Sequence, residues 1–255
     1  MQLHVTRAGK GQPVVFIHGW GMHSAVWAEA ADRVSQYACA VLVDLPGFGG
    51  SPYQRDYSLQ ELGDQLLQLA GEEAIWVGWS LGGLLALSIA LERPQSVKKC
   101  LCVAASPCFV QRENWHHGMR EELLAQFSSQ LAQDYLLTMK RFFSLQTRGG
   151  TDALVLNRKI RRLFVSAGPP DRRALAHGLK LLQQTDLRDR LDRLACPLLL
   201  LLGENDRIVD PACLQDLPRH PRVESQVIAG AAHVPFLSHA SQFYAILKKF
   251  VLTDE

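Results

Sequence analysis

The chain has 255 residues, 47% of them hydrophobic and 20% charged, with a formal net charge of +2. It is long enough to bury a large core, and its near-neutral balance argues against a surface built throughout to grip nucleic acid. No apolar run approaches the ~20 residues of a membrane-spanning helix, and the opening Met-Gln-Leu-His-Val-Thr-Arg has no apolar segment of the kind a secretory signal needs.

Residues 13–18 (Pro-Val-Val-Phe-Ile-His) read as a buried strand, and 38–44 as a second. Residues 74–78 make a third strand, followed by a helical stretch over 81–92 that Pro94 cannot extend. Further strands are expected at 99–104, 197–203 and 224–228. Short runs apolar on both faces, alternating with helices, indicate an α/β fold with a mostly parallel central sheet flanked by helices.

The rhythm breaks between 109 and 185, where apolar residues recur at helical spacing. Leu123, Leu124, Phe127 and Leu131 form one stripe, and Tyr135, Met139, Phe142 and Phe143 another. The expected organisation is a core of 1–108 and 186–255 with a helical lid, 109–185, over the strands' carboxyl ends, where open α/β sheets bind ligands. Six cysteines, at 39, 100, 102, 108, 196 and 213, show no metal-ligand spacing and are expected as buried thiols of a cytoplasmic protein.

Gly78-Trp79-Ser80-Leu81-Gly82 has the form G-x-S-x-G, with a strand before it and a helix after it. In that context the serine sits on a tight turn with its hydroxyl projecting, so Ser80 is the expected nucleophile. An oxyanion needs two N–H donors: one from the residue after the serine, Leu81, and one from the loop after the first strong strand, at Trp20. The remaining partners should follow in the order acid, then histidine. Asp206, after the fifth strand, is preferred over Glu204 and Asp210. His233, on the small-residue loop Gly230-Ala231-Ala232-His233, is preferred over His220 and His239. Asp44 comes too early for the acid and reads as a turn residue. The chemistry these residues imply, acyl transfer through a covalent serine ester, needs neither metal nor organic cofactor.

Charge is uneven. Residues 109–185 hold 12 Lys and Arg against 6 Asp and Glu, an excess clustered at Lys140, Arg141, Arg158, Lys159, Arg161 and Arg162. Such a patch is either a solvated helix face or a docking surface for an acidic partner. Nucleic acid is not expected there, since no interleaved aromatic surface accompanies it.

These motifs, with Val43-Asp44-Leu45-Pro46-Gly47-Phe48-Gly49, Arg141-Phe142-Phe143-Ser144-Leu145-Gln146-Thr147 and the tryptophan before the nucleophile, resemble the pimeloyl-[acyl-carrier protein] methyl ester carboxylesterase family of bacterial biotin synthesis. The resemblance covers nearly the whole chain. It implies an α/β-hydrolase with the triad Ser80, Asp206 and His233, and with substrate contacts at Trp20, Leu81, Phe142, Phe143, Ser144, Leu145 and Gln146. It also implies a monomer whose Arg141 and Arg158, supported by Lys140, Arg161 and Arg162, meet an acyl carrier protein. Leu137 and Leu154 stand where the family carries further docking arginines. A broader short-chain carboxylesterase or a carbon–carbon bond hydrolase would use the same triad, and a ligand receptor that keeps the fold is a more distant alternative.

Overall fold

The computed structural model describes residues 2–71 and 73–253. Seven strands form one sheet: β1 (Val5–Ala8), β2 (Pro13–Ile17), β3 (Cys39–Val43), β4 (Ala74–Trp79), β5 (Val97–Val103), β6 (Leu198–Gly203) and β7 (Val223–Ile228), in the order β1-β3-β2-β4-β5-β6-β7. All neighbours pair in parallel except β1, which runs antiparallel to β3. The six strands expected from the sequence are present, with ends shifted by one or two residues. β1 was not expected: its four residues, Val-Thr-Arg-Ala, are only half-buried or exposed and carry no apolar run.

The strand order fixes where a site can form. From β2 the chain steps outward to β3, then returns to lay β4 on the other side of β2. The topological switch point therefore lies between β2 and β4, where Ile17 is level with Gly78. The loop after β2 and the turn after β4 emerge there side by side.

Helices α1 (Ala28–Val34), α2 (Leu59–Ala70) and α3 (Leu81–Glu92) lie among the first five strands. α3 is apolar all round, and every residue from Leu81 to Leu91 is buried, as expected for a helix enclosed on all sides. Close contact needs small residues: a Cβ on Gly82 would lie 2.4 Å from the Ile17 carbonyl oxygen, so glycine lets α3 start directly against the end of β2.

Between β5 and β6 stand four helices: α4 (Glu121–Gln133), α5 (Tyr135–Thr147), α6 (Ala153–Ser166) and α7 (Arg172–Gln184). They are amphipathic: on α6, Leu156 and Ile160 are buried while Arg158, Arg161 and Arg162 are exposed. The insertion is stitched to the core along its length. Trp20 Nε1–H donates to the Leu175 carbonyl (2.8 Å), the His23 ring meets that of Leu163 (2.6 Å), and the Asp171 N–H donates to Gly47 (2.9 Å). Short α8 (Pro235–Ser238) and α9 (Ala240–Leu252) complete the core. No disulfide forms and five of the six cysteines are buried, and among the described residues no helix is long and apolar enough to cross a membrane.

Candidate active site

Ser80 occupies the turn between β4 and α3 at φ +55°, ψ −118°. That left-handed backbone is costly for a residue with a Cβ and usually marks a functional constraint. Ser80 is also the N-cap of α3, a position where serine normally accepts a bond from its helix. Here its side chain makes no capping bond. Ser80 instead lines the pocket, and the Leu81 N–H at the first position of the helix has no intrahelical acceptor.

Beside it, the loop after β2 is held by a buried histidine. His18 Nε2 accepts from the Leu45 N–H (3.0 Å), which places the ring proton on Nδ1, donating to the Gly19 carbonyl (2.8 Å). Burial lowers the His18 pKa to about 4, against the pull of nearby Asp44, so the ring is neutral and its two bonds keep fixed directions. The Met22 N–H also donates to Gly19 (3.2 Å), closing the turn that carries the Trp20 amide.

Asp44 is more than a turn residue. It is buried and accepts from the Ser24 N–H (2.6 Å) and the Gly50 N–H (2.9 Å), with the His4 ring 3.0 Å away. Burial alone would raise its carboxyl, but these donors and His18 outweigh it and hold the pKa below the usual carboxylate value. It fastens the loop after β2 to the loop after β3. Backbone donors have no sequence signature, which is why the motif alone did not disclose this role.

Asp206 follows β6 and His233 follows β7, and their side chains are fully enclosed. His233 Nδ1 lies 2.8 Å from Asp206 Oδ2. The other carboxylate oxygen accepts from the Ile208 N–H (2.8 Å) and the Val209 N–H (3.1 Å). A carboxylate at Nδ1 selects the tautomer that leaves Nε2 with a free lone pair, as a general base requires. Nε2 is buried and has no hydrogen-bond partner among the described residues. The bond from Ser80 Oγ to it is therefore unformed in this state, a common condition before substrate closes such a site. Of the alternatives, Glu204 accepts from the Gly230 N–H (2.8 Å), Asp210 caps the short turn at 211–215, and neither is bonded to His233.

Ser80 opens onto a narrow apolar pocket walled by Trp20, Phe109, Met119, Leu124, Phe127, Phe142, Leu145, Leu179, Leu182 and Ile208. Phe142 stands edge-on to Trp20, with ring centres 4.9 Å apart. Met119, Phe127, Leu145 and Ile208 continue into a groove between residues 116–123 and 204–211, which joins the pocket to solvent. The segment 142–146 divides: Phe142 and Leu145 face the pocket, whereas Phe143 packs on Phe164 at 4.9 Å and Ser144 is exposed, donating to the Lys140 carbonyl. Phe143 and Ser144 are thus not pocket walls, because at one residue per 100° a helix cannot aim five consecutive side chains at one cavity. Gln146 is buried, and its backbone carbonyl accepts from the His233 N–H (3.1 Å). Gly178 on α7 escaped notice in the sequence: a Cβ there would lie 2.7 Å from Trp20 Cδ1, so its bareness lets the insertion lie against the pocket wall.

Lys140, Arg141, Arg158, Arg161 and Arg162 are all exposed on α5 and α6, away from the pocket walls. Leu137 and Leu154, on the same helices, are 42% and 76% exposed. No group of three or more His, Cys, Asp or Glu among the described residues is arranged to hold a metal.

A parallel sheet with a strained serine turn at its switch point defines the class: the chain belongs to the alpha/beta hydrolase family, whose model matches residues 14–246. It is 39% identical to the pimeloyl-[acyl-carrier protein] methyl ester esterase of Aeromonas salmonicida (strain A449), over 98% of this chain and 100% of that one. It is 41% identical to the protein of the same name from Edwardsiella ictaluri (strain 93-146), over 97% and 95%. Among solved structures, an esterase from Exiguobacterium antarcticum superposes with a TM-score of 0.88 over 98% of this chain and 96% of that one; at 23% identity it speaks for the fold alone.

Proposed function

We propose that this protein is a serine carboxylesterase that hydrolyses the methyl ester of pimeloyl-[acyl-carrier protein], releasing methanol and leaving the distal carboxylate free for biotin synthesis. The chemistry is carried by an enclosed Asp206–His233 pair together with an uncapped, strained Ser80 that lines an apolar pocket. The substrate rests on the full-length relatives of that name.

In this reading His233 Nε2 takes the Ser80 proton as Oγ attacks the ester carbonyl, and the Trp20 and Leu81 N–H groups receive the oxyanion. Each such donor contributes roughly 3–4 kcal/mol to the transition state. The imidazolium, steadied by Asp206, protonates the departing methoxide, which leaves as methanol; a water deprotonated by the same ring then frees the acyl group. Trp20, Phe142 and Leu145 border the acyl chain, with residues 109–185 as the lid above it. Arg141 and Arg158, with Lys140, Arg161 and Arg162, meet the acidic carrier protein. The enzyme works as a cytoplasmic monomer: every reacting group comes from one chain, and the unpaired buried thiols suit a reducing compartment.

The test is hydrolysis of the carrier-bound methyl ester by purified protein, followed by methanol release. Wild type should turn it over, and Ser80→Ala should lose at least ~10⁴-fold in kcat with the melting curve retained. Turnover by the alanine variant would end the mechanism, while activity confined to small esters would end the substrate assignment.

A further inference from the structure

The loop that carries His233 is gripped from three directions. From the acid loop, the Asn205 N–H donates to the Ala231 carbonyl (2.8 Å), and Glu204 accepts from the Gly230 N–H. From the nucleophile's strand, Trp79 Nε1–H donates to the His233 carbonyl (2.8 Å). The third grip comes from the helical insertion, at the turn between α5 and α6. The His233 N–H donates to the Gln146 carbonyl (3.1 Å), and the Thr151 N–H donates to the Gly230 carbonyl (3.2 Å). Between these bonds the turn lies against Ala232: a Cβ on Gly150 would sit 3.0 Å from the Ala232 Cβ and 3.3 Å from its nitrogen. Gly149, at φ +83°, lies against Asn205.

We infer that the α5–α6 turn, Gly149 and Gly150 above all, is a positioning element for the catalytic base: it sets how far His233 Nε2 stands from Ser80 Oγ. The inference rests on the catalytic roles proposed for those two residues but not on the carrier-bound substrate. Two observations point the same way. His233 Nε2 is buried without a partner among the described residues, so whether the serine–histidine bond forms depends on where the 230–233 loop sets the ring. And nothing in the backbone demands glycine at 150, since its φ is not positive. A side chain there would crowd the base's own loop at Ala232, and also the Thr147 carbonyl oxygen 3.3 Å away.

Gly150→Ala tests this, with a short-chain chromogenic ester as substrate. The added methyl should push the 230–233 loop and lower kcat about tenfold, with KM changed less than twofold, since no pocket wall is touched. The acid limb of the kcat/KM–pH profile should move, because the His233–Asp206 contact is disturbed. Adding Ala232→Gly to Gly150→Ala removes the opposing methyl and should recover most of the lost kcat and return the pH limb. The low-field proton resonance of the His233–Asp206 bond should shift in the single variant and return in the double. Unchanged kcat in Gly150→Ala would overturn the inference, as would a loss that Ala232→Gly does not rescue. Ser80→Ala, assayed in parallel, separates the two ideas: its retained activity would end the catalytic reading itself, whereas an inactive Ser80→Ala beside a normal Gly150→Ala sinks only the turn.

Discussion

The sheet core and the helical insertion solve opposite problems with similar residues. In the core, α3 is leucine-rich and wholly buried, and the buried polar groups around the site are held by bonds: His18 by two partners, Asp44 by backbone donors, Asp206 by His233 and two N–H groups. In the insertion, leucines and arginines share exposed faces, and the apolar side is divided between the pocket walls and packed seams such as Phe143 on Phe164. In the proposed reading the core fixes which bond is broken and the insertion which molecules arrive; the α5–α6 turn of the insertion also contacts the His233 loop.

The sharpest way to break that division is within the core. Asp206→Asn keeps the shape but removes the charge that selects the His233 tautomer; kcat should fall about 10³- to 10⁴-fold on small and carrier-linked esters alike, measured in steady state. A substrate-dependent loss would mean that Asp206 also serves recognition.

The next largest effect concerns stability. His18 is held neutral in the fold with a pKa lowered to about 4, whereas the unfolded imidazole protonates near 6.5. As pH falls through that window the unfolded state gains a proton that the native state refuses, so stability declines from pH 6.5 to 4. Between pH 7 and 5 the loss should be about 2 kcal/mol, read as a lower urea midpoint. Asp44, with its carboxyl depressed, adds its own loss only below the ordinary carboxylate range. A flat midpoint across pH 7 to 5 would show that the core tolerates a charged ring at position 18.

The smallest effect belongs to the insertion's surface. Reversing charge at Arg141 and Arg158 should raise KM for the carrier-linked ester about tenfold at low salt, less at high salt, and leave a small ester unaffected. Equal effects on both substrates would favour the broader esterase reading and move these arginines from recognition to structure.

The sequence made the core more legible than the insertion. Buried parallel strands are unbroken apolar runs, and a serine between glycines at a strand–helix turn has a chemical reason to be there. The placements of Ser80, Asp206 and His233 follow from where those strands end. β1 escaped because an edge strand of four residues, two of them polar, needs no apolar run. Asp44 and Gly178 escaped because their roles lie in backbone N–H groups and in the space beside Trp20, neither of which a residue name encodes. In the insertion, periodicity gave the helices but not which side of each faces the cavity, and the family resemblance named 142–146 as one stretch, of which Phe142 and Leu145 line the pocket.

Ser80 spends its hydroxyl outside its own helix and sits in a backbone region that most residues avoid, at a cost of order 1–3 kcal/mol. The fold therefore endures in spite of the serine proposed as its nucleophile. A laboratory selection that rewarded melting temperature alone would find glycine at this position early and, on the proposed mechanism, would return a sturdier protein that no longer cuts anything.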